Sequence, residues 1–399
     1  MNIFKKAYCR TFQFFFKVAI PLLPYRQPKI LQSADECAAI LKERKIGRVF
    51  IVTDTGVRNC GLCDGIISAL DSQGIFYSIY DKTMPNPTDD AVEDALSQYL
   101  ADKCEAIIAV GGGSAMDLSK ACGARVVYPK KSLKKMAGIL HVRRKLPPLF
   151  AVPTTAGTGS ETTIAAVITD SKTHRKYAIN SFPLIPHYAV LDYKLTVGLP
   201  KQMTACTGMD ALTHAVEAFI GRSTTKETRG KAIEAVNLIH DNLKTCYDDP
   251  ENAEARKNML YAAHYAGIAF TKSYVGYVHA VAHSLSGRYG LPHGMTCAVL
   301  LPVVLESYGK TAYKKLAVLA KACGVAEQAD GKDVAAKKFI AWIYDMNEYF
   351  GIPKGFDCIQ EQDIDKMAKY ADKEGNPLYP VPKLYGQKQL KELYYKVKI

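Results

Sequence analysis

Ala106-Ile107-Ile108-Ala109-Val110-Gly111-Gly112-Gly113-Ser114-Ala115-Met116-Asp117-Leu118-Ser119-Lys120 is the stretch that decides the fold. Five apolar, β-prone residues run straight into three glycines, and the residues that follow have helical spacing. A strand, a glycine run and a helix in that order leave free backbone amides at a helix start. The dipole there favours negative charge, and the missing side chains let an anion come close. Many ordinary strand-to-helix turns also use glycine, and the pattern is not the G-x-G-x-x-G of the usual dinucleotide-binding turn. The surrounding sequence therefore has to decide between a diphosphate cradle and a plain connection.

Around this stretch, short apolar runs at 49–53, 75–80, 149–152, 164–169 and 189–191 alternate with helical patterns at 57–72, 89–100 and 114–124. That rhythm predicts a parallel sheet wrapped by helices. Beyond about residue 199 the strand signal fades, and Ala-rich helical patterns occupy 201–221, 226–242, 253–270, 279–285, 296–308 and 332–350. The expected architecture is a basic N-terminal extension over 1–30, an α/β dinucleotide-binding domain over 31–199 and an all-helical metal-binding domain over 200–399. No repeat or Ser/Gly linker separates the last two, so they are expected to share an interface, where small-molecule sites tend to lie.

A second loop, Pro153-Thr154-Thr155-Ala156-Gly157-Thr158-Gly159-Ser160-Glu161, also follows a strand and offers hydroxyls beside glycines. Two such loops leaving adjacent strand ends favour a long, multi-phosphate ligand over a single anion. Asp54, at the end of the first predicted strand, could accept hydrogen bonds from an adenosine ribose and would repel a 2′-phosphate, which argues for NAD over NADP. An Asp there is equally suited to capping a helix.

In the helical half, Asp210 and His214 are four apart on one helix face, His279 and His283 repeat that spacing, and His293 follows Gly290-Leu291-Pro292 in a tight turn. Packing does not call for five polar donors in two short segments. Imidazoles joined by a carboxylate suit Fe(II) or Zn(II). His141, His174, His187, His240 and His264 stand alone and read as surface or core residues.

The chain carries 52 Lys and Arg against 39 Asp and Glu, a net charge of +13. Six basic and no acidic residues fall in the first 34, and a second basic cluster runs from Lys130 to Lys145. Neither carries a nucleic-acid-binding signature, so no nucleic-acid partner is expected. Residues 4–24 mix Lys and Arg with Phe12, Phe14, Phe15 and Phe16, but Lys17 interrupts the apolar run and no small-residue cleavage site precedes Pro21. A weak membrane-surface or assembly contact through residues 1–24 is expected, with a packing arm against another subunit ahead of a membrane-surface helix. The eleven cysteines are scattered except for Cys60 and Cys63, as in a chain whose thiols stay reduced in the cytoplasm.

With these residues in hand, the chain resembles the iron-containing alcohol dehydrogenases, which include lactaldehyde reductases, propanediol dehydrogenases and butanol dehydrogenases. The resemblance runs from about Pro28 to the C-terminus. Pro85-Asn86-Pro87-Thr88, the Gly111 to Asp117 loop, Pro153 to Glu161, Gly208 to Glu217 and His279 through Gly294 carry it. It implies the dehydroquinate synthase-like fold of that family, a sheet-containing nucleotide-binding domain and a helical metal-binding domain. Carried over position by position, it makes Asp210, His214, His279 and His293 the metal ligands and gives His283 a proton-relay role beside the nicotinamide. It assigns Asp54, Asn86, Gly111, Gly112, Gly113, Ser114, Asp117, Thr154, Thr155, Thr158 and Lys176 to NAD(H), and Phe270 to the substrate pocket.

The implied protein is a homodimeric oxidoreductase holding Fe(II), with Zn(II) the alternative, that moves hydride between NAD(H) and a short primary alcohol, diol or aldehyde. The small or apolar side chains at 165–167 and Phe270 suit such substrates. A glycerol-dehydrogenase-like polyol oxidoreductase is the nearest rival. A non-catalytic basic scaffold or membrane-surface protein is a distant one. The family pattern requires neither the N-terminal extension nor the Lys130–Lys145 cluster.

Overall fold

The structure is a computed structural model, and it describes residues 1–173 and 175–399. His174, grouped above with the isolated histidines, lies outside the described residues. The chain divides into two compact units, Pro24–Gly198 and Leu199–Ile399 together with Met1–Leu23. Among the described residues no helix is long and apolar enough to cross a membrane.

In the first unit the strands are β1 (Lys29–Leu31), β2 (Arg48–Val52), β3 (Phe76–Tyr80), β4 (Ala106–Gly111), β5 (Gly138–Ile139), β6 (Leu149–Pro153), β7 (Ala165–Thr169), β8 (Lys176–Asn180) and β9 (Tyr188–Val190). Six of them form a parallel sheet in the order β1-β9-β6-β4-β2-β3. The central strand β4 is buried on both faces along its whole length, which is why its sequence is a continuous apolar run rather than an alternation. Two apolar clusters cover the sheet, one including Phe50, Tyr99, Ile107 and Leu118, the other Leu41, Ile51, Ile108 and Phe150.

The chain goes from β2 outward to β3 and then returns to β4 on the other side of β2. The order therefore reverses between the carboxyl ends of β2 and β4, the point at which open parallel sheets bind ligands. Asp54 follows one of these strands and Gly111 ends the other.

Two expectations need correction here. The run at 164–169 does not join the parallel sheet: β7 pairs antiparallel with β8 and, with β5, makes a separate three-stranded sheet. Its alternating burial is the period-2 signature of a strand covered on one face only. The helix expected over 57–72 is two helices, Thr55–Asn59 and Asp64–Ser72, interrupted by the turn through Cys60 and Cys63.

The second unit is helical. Helix Lys201–Ile220 packs against Lys226–Asp248, Ala253–Ser273 and His293–Tyr308 and is buried on every side from Met209 to Ile220. Alanines at 211, 215 and 218 let its neighbours approach. A helix buried all round is normally apolar all round. This one carries Asp210, His214 and Glu217.

The N-terminal extension is a helix, Ile3–Ala19, that folds onto this same unit. The Lys5 ammonium reaches Asp372 at 2.7 Å, Arg10 donates to the Val381 and Pro382 carbonyls, and the buried Gln13 amide donates to the Pro377 and Tyr379 carbonyls.

Candidate metal centre and cofactor cradle

Three helices bring the donors together. Asp210 and His214 stand one turn apart on helix Lys201–Ile220, His279 lies on helix Tyr277–Tyr289, and His293 is the first residue of helix His293–Tyr308 rather than part of a free turn. The last helix comes this close because residue 294 is glycine: a Cβ there would lie 2.4 Å from the Cys206 carbonyl oxygen. Asp210 Oδ1 is 3.7 Å from His279 Nε2 and 3.7 Å from His293 Nε2, and His214 Nδ1 is 4.0 Å from Asp210 Oδ2. The His214 ring stacks on His279 at 4.4 Å and on Phe270 at 4.2 Å.

Asp210 Oδ1 and His279 Nε2 are buried and have no hydrogen-bond partner among the described residues. Unpaired buried polar atoms cost on the order of 1–3 kcal/mol each and are rare in folded proteins. Here they point at one another from just beyond bonding distance. A divalent cation satisfies them, so the residues fit a metal ion. Burial alone would raise the Asp210 carboxyl, but the imidazoles of His214, His293 and His279 hold it well below the usual carboxylate range.

Glu217 orients the group. Its carboxylate accepts from His279 Nδ1 at 2.6 Å and from the backbone N–H groups of Gly276 and Val278 at 2.9 and 2.8 Å. With Nδ1 committed, His279 presents Nε2 to the centre, the arrangement by which an outer carboxylate fixes a metal-binding imidazole. Sequence reasoning assigns Glu217 no role, although it continues the face of Asp210 and His214 at the next turn, and that spacing is the available signal.

His283 stacks on His293 at 5.0 Å, and its Nδ1 bonds Glu374 Oε1 at 2.6 Å, where the Tyr379 hydroxyl also donates at 2.8 Å. Glu374 is 91 residues away in sequence, and no local pattern announces it. Cys297, also unassigned from sequence, reaches the group from the turn after His293, and burial pushes its thiol up to about 12.

In the sheet unit, β4 and β6 are neighbours with Gly111 opposite Pro153, so the two candidate loops do leave adjacent strand ends. Gly111 has φ +150°, a conformation few side-chain-bearing residues adopt. A Cβ on Gly112 would lie 3.4 Å from Thr155 Oγ1, and one on Gly113 would lie 3.2 Å from Thr158 Cγ2. The glycines thus keep open a strip of backbone facing the threonines, the kind of cradle a dinucleotide diphosphate requires. Ser114 follows in the first turn of helix Gly113–Val127, and Thr154 donates its N–H to the Gly111 carbonyl at 3.1 Å.

Asp54 caps the next helix through Oδ1, which accepts from Val57 N–H at 2.9 Å, while Oδ2 lies 3.8 Å from where a Gly111 Cβ would stand. The capping reading and the cofactor reading therefore use different oxygens.

The remaining cofactor candidates are dispersed. Asn86 is on an exposed turn with φ 59°, and Lys176 opens β8. Asp117 is occupied within the unit, accepting from Ser160 Oγ at 3.3 Å and Val167 N–H at 3.1 Å, and burial, opposed by Lys120, pushes its carboxyl up to about 6. Lys120, also missed, is fully buried and donates to the carbonyls of Ser160, Thr163 and Ala165, which ties the threonine loop to the glycine-loop helix. Ala165–Val167 lie in β7.

A glycine loop at the switch point of a parallel sheet, a threonine-rich loop leaving the neighbouring strand, and a buried carboxylate–imidazole group on helices are the features to set beside known proteins. The chain belongs to the iron-containing alcohol dehydrogenase family: residues 28–193 match the model for iron-containing alcohol dehydrogenase, and residues 204–397 match the Fe-containing alcohol dehydrogenase family C-terminal domain. It is 37% identical to 1,3-propanediol dehydrogenase of Citrobacter freundii over 95% of this chain and 98% of the relative. To the NAD-dependent methanol dehydrogenase of Bacillus methanolicus it is 34% identical over 84% and 88%. A crystal structure of 1,3-propanediol oxidoreductase superposes with a TM-score of 0.90 at 35% identity, covering 94% of this chain and 99% of that one. The N-terminal helix precedes the family match.

Proposed function

We propose that this protein interconverts a short primary alcohol or diol and its aldehyde with NAD(H), as a cytoplasmic homodimer whose Asp210, His214, His279 and His293 hold one divalent ion. The pair of buried, unpartnered donor atoms, Asp210 Oδ1 and His279 Nε2, is the observation that carries the reading. Fe(II) or Zn(II) there supplies Lewis acidity, which lowers the pKa of an alcohol and polarises a carbonyl.

The chain's own residues do the rest. Glu217 fixes the His279 ring, and the apolar ring of Phe270 beside His214 favours an aliphatic substrate. His283, with Nδ1 held by Glu374, offers Nε2 to the substrate proton and hands it to solvent, since its side chain is only partly buried. The free amides at Gly112–Ser114 and the hydroxyls of Thr154, Thr155 and Thr158 bind the cofactor diphosphate, and Asp54 Oδ2 accepts from the ribose. Asn86, Asp117 and Lys176 contribute to the same pocket, Asp117 by bracing its wall. Hydride transfer itself belongs to the cofactor and carbinol carbon. The names of the relatives support short alcohols and diols, and lend nothing to the polyol reading.

The N-terminal helix leaves Phe4 and Phe15 on its outward face, at 83% and 65% exposure, and its Lys6 and Lys17 are exposed as well. Two copies meeting through it would bring like charges together, because the first 34 residues contain no acid. An anionic lipid surface complements this helix in both apolarity and charge.

The function is tested by assaying short alcohols, diols and aldehydes with NAD(H) and NADP(H) after loading with Fe(II) or Zn(II). Metal-dependent NADH formation with short diols, and preference for NAD, is expected. Full activity after verified removal of metal refutes the reading.

A further inference from the structure

Helix His293–Tyr308 presents two side chains, not one, to the donor group. Cys297 stands four residues after His293 on the same face, is fully buried, and places Sγ 3.6 Å from His293 Nε2. The donor atoms of Asp210, His279, His293 and Cys297 all lie within 4.8 Å of one another, a group that takes in the sulfur and leaves out His214.

The spacing can be compared with what a shared ion demands. Bonds of about 2.3 Å to sulfur and about 2.0–2.1 Å to nitrogen at a tetrahedral angle separate the two donors by about 3.5 Å. The sulfur stands at that distance from His293. The bland alternative is a small apolar residue filling a gap, which is what Cys37 and Cys122 are: both lie in the apolar clusters of the sheet unit. Cys297 differs from them in facing imidazoles and a carboxylate.

We propose that Cys297 is a further ligand of the ion held by Asp210 and the histidines, and that its sulfur tilts the site toward zinc and cobalt over iron. Thiolate is a soft donor, and its presence beside imidazoles and a carboxylate shifts selectivity in that direction. Binding exchanges the S–H bond for a sulfur–metal bond, the proton leaves to solvent, and no electron is transferred. The inference rests on the metal reading above, and its test separates the two.

Metal-free protein is loaded with one equivalent of Co(II) and its absorption spectrum recorded, alongside Cys297→Ser and Cys297→Ala. The expected result is a strong near-ultraviolet thiolate-to-cobalt band in the wild type that both variants lose while still binding cobalt. In competition, the preference for Zn(II) over Fe(II) should be smaller in both variants than in the wild type. Cobalt bound with no such band in the wild type overturns the proposal and leaves the metal site standing. No cobalt bound by the wild type overturns both. The wild-type spectrum is decisive even if a variant folds poorly.

Discussion

The phosphate loops of the sheet unit and the donor group of the helical unit are built on opposite principles. The first works by leaving atoms out: Gly112 and Gly113 keep backbone open opposite Thr155 and Thr158, and Gly111 takes a φ that a Cβ would resist. The second works by placing polar atoms on a helix whose burial would otherwise call for none, at Asp210, His214 and Glu217. One is damaged by adding atoms, the other by removing them.

The largest effect should come from removing a donor. His279→Ala or Asp210→Asn is expected to abolish bound metal and turnover together while NADH binding, followed by fluorescence, persists. Turnover surviving without metal would detach the donor group from the chemistry. Glu217→Gln leaves every proposed ligand in place but no longer holds His279 as strongly. Metal affinity should fall about 10–100-fold in a chelator competition, and an unchanged affinity would reduce Glu217 to a packing residue.

Adding atoms to the other region should do the reverse. Gly113→Val pushes into Thr158 and is expected to raise the KM for NAD about tenfold, equivalent to roughly 1.4 kcal/mol of lost binding, with metal content untouched. A loss of metal in this variant would mean the two regions are not independently built.

The sheet unit should also show a pH sensitivity of its own. His187 Nδ1 accepts the Leu149 backbone N–H at 3.1 Å, which needs a neutral ring, and burial beside Arg26, Arg44 and Lys145 holds its pKa down to about 4. Its ordinary value is about 6.5, so between those values the unfolded chain binds more protons than the folded one. Stability is therefore gained as pH rises from about 4 to about 6.5 and lost as pH falls through that window. His187→Ala should flatten this part of a thermal-midpoint profile, and an unchanged slope would assign it to other groups.

The smallest effect is expected at the N-terminal helix. Replacing Phe4 and Phe15 with Glu should leave kcat unchanged and weaken co-sedimentation with phosphatidylserine vesicles. Equal binding of both forms, or binding to neutral vesicles alone, contradicts the lipid assignment.

Legibility in the sequence followed how local each feature is. The strand–glycine–helix unit at 106–127 and the His and Asp spacings could be read because every part lies within a turn or two of the next. Helix Lys201–Ile220 was located almost to the residue, but Glu217 on its face was passed over because a lone Glu on a helix has too many ordinary uses. Glu374 could not be read at all, since its bond to His283 closes a loop of 91 residues. The short strands β1, β5 and β8 were missed because three or fewer apolar residues carry no period, or because, as in β8, polar residues interrupt it. The assignment of 164–169 to the parallel sheet failed because Ile164-Ala165-Ala166-Val167-Ile168 is a continuous apolar run, and the alternation exists only in the burial of the folded strand.

The central claim is that side chains from three helices converge on one cation. Crystals of the protein loaded with Fe(II) or Zn(II), measured at the absorption edge of that metal, test it directly. A single anomalous peak per chain within bonding distance of Asp210, His279 and His293 is the predicted result. A fully loaded, active protein whose only peak lies elsewhere would contradict it.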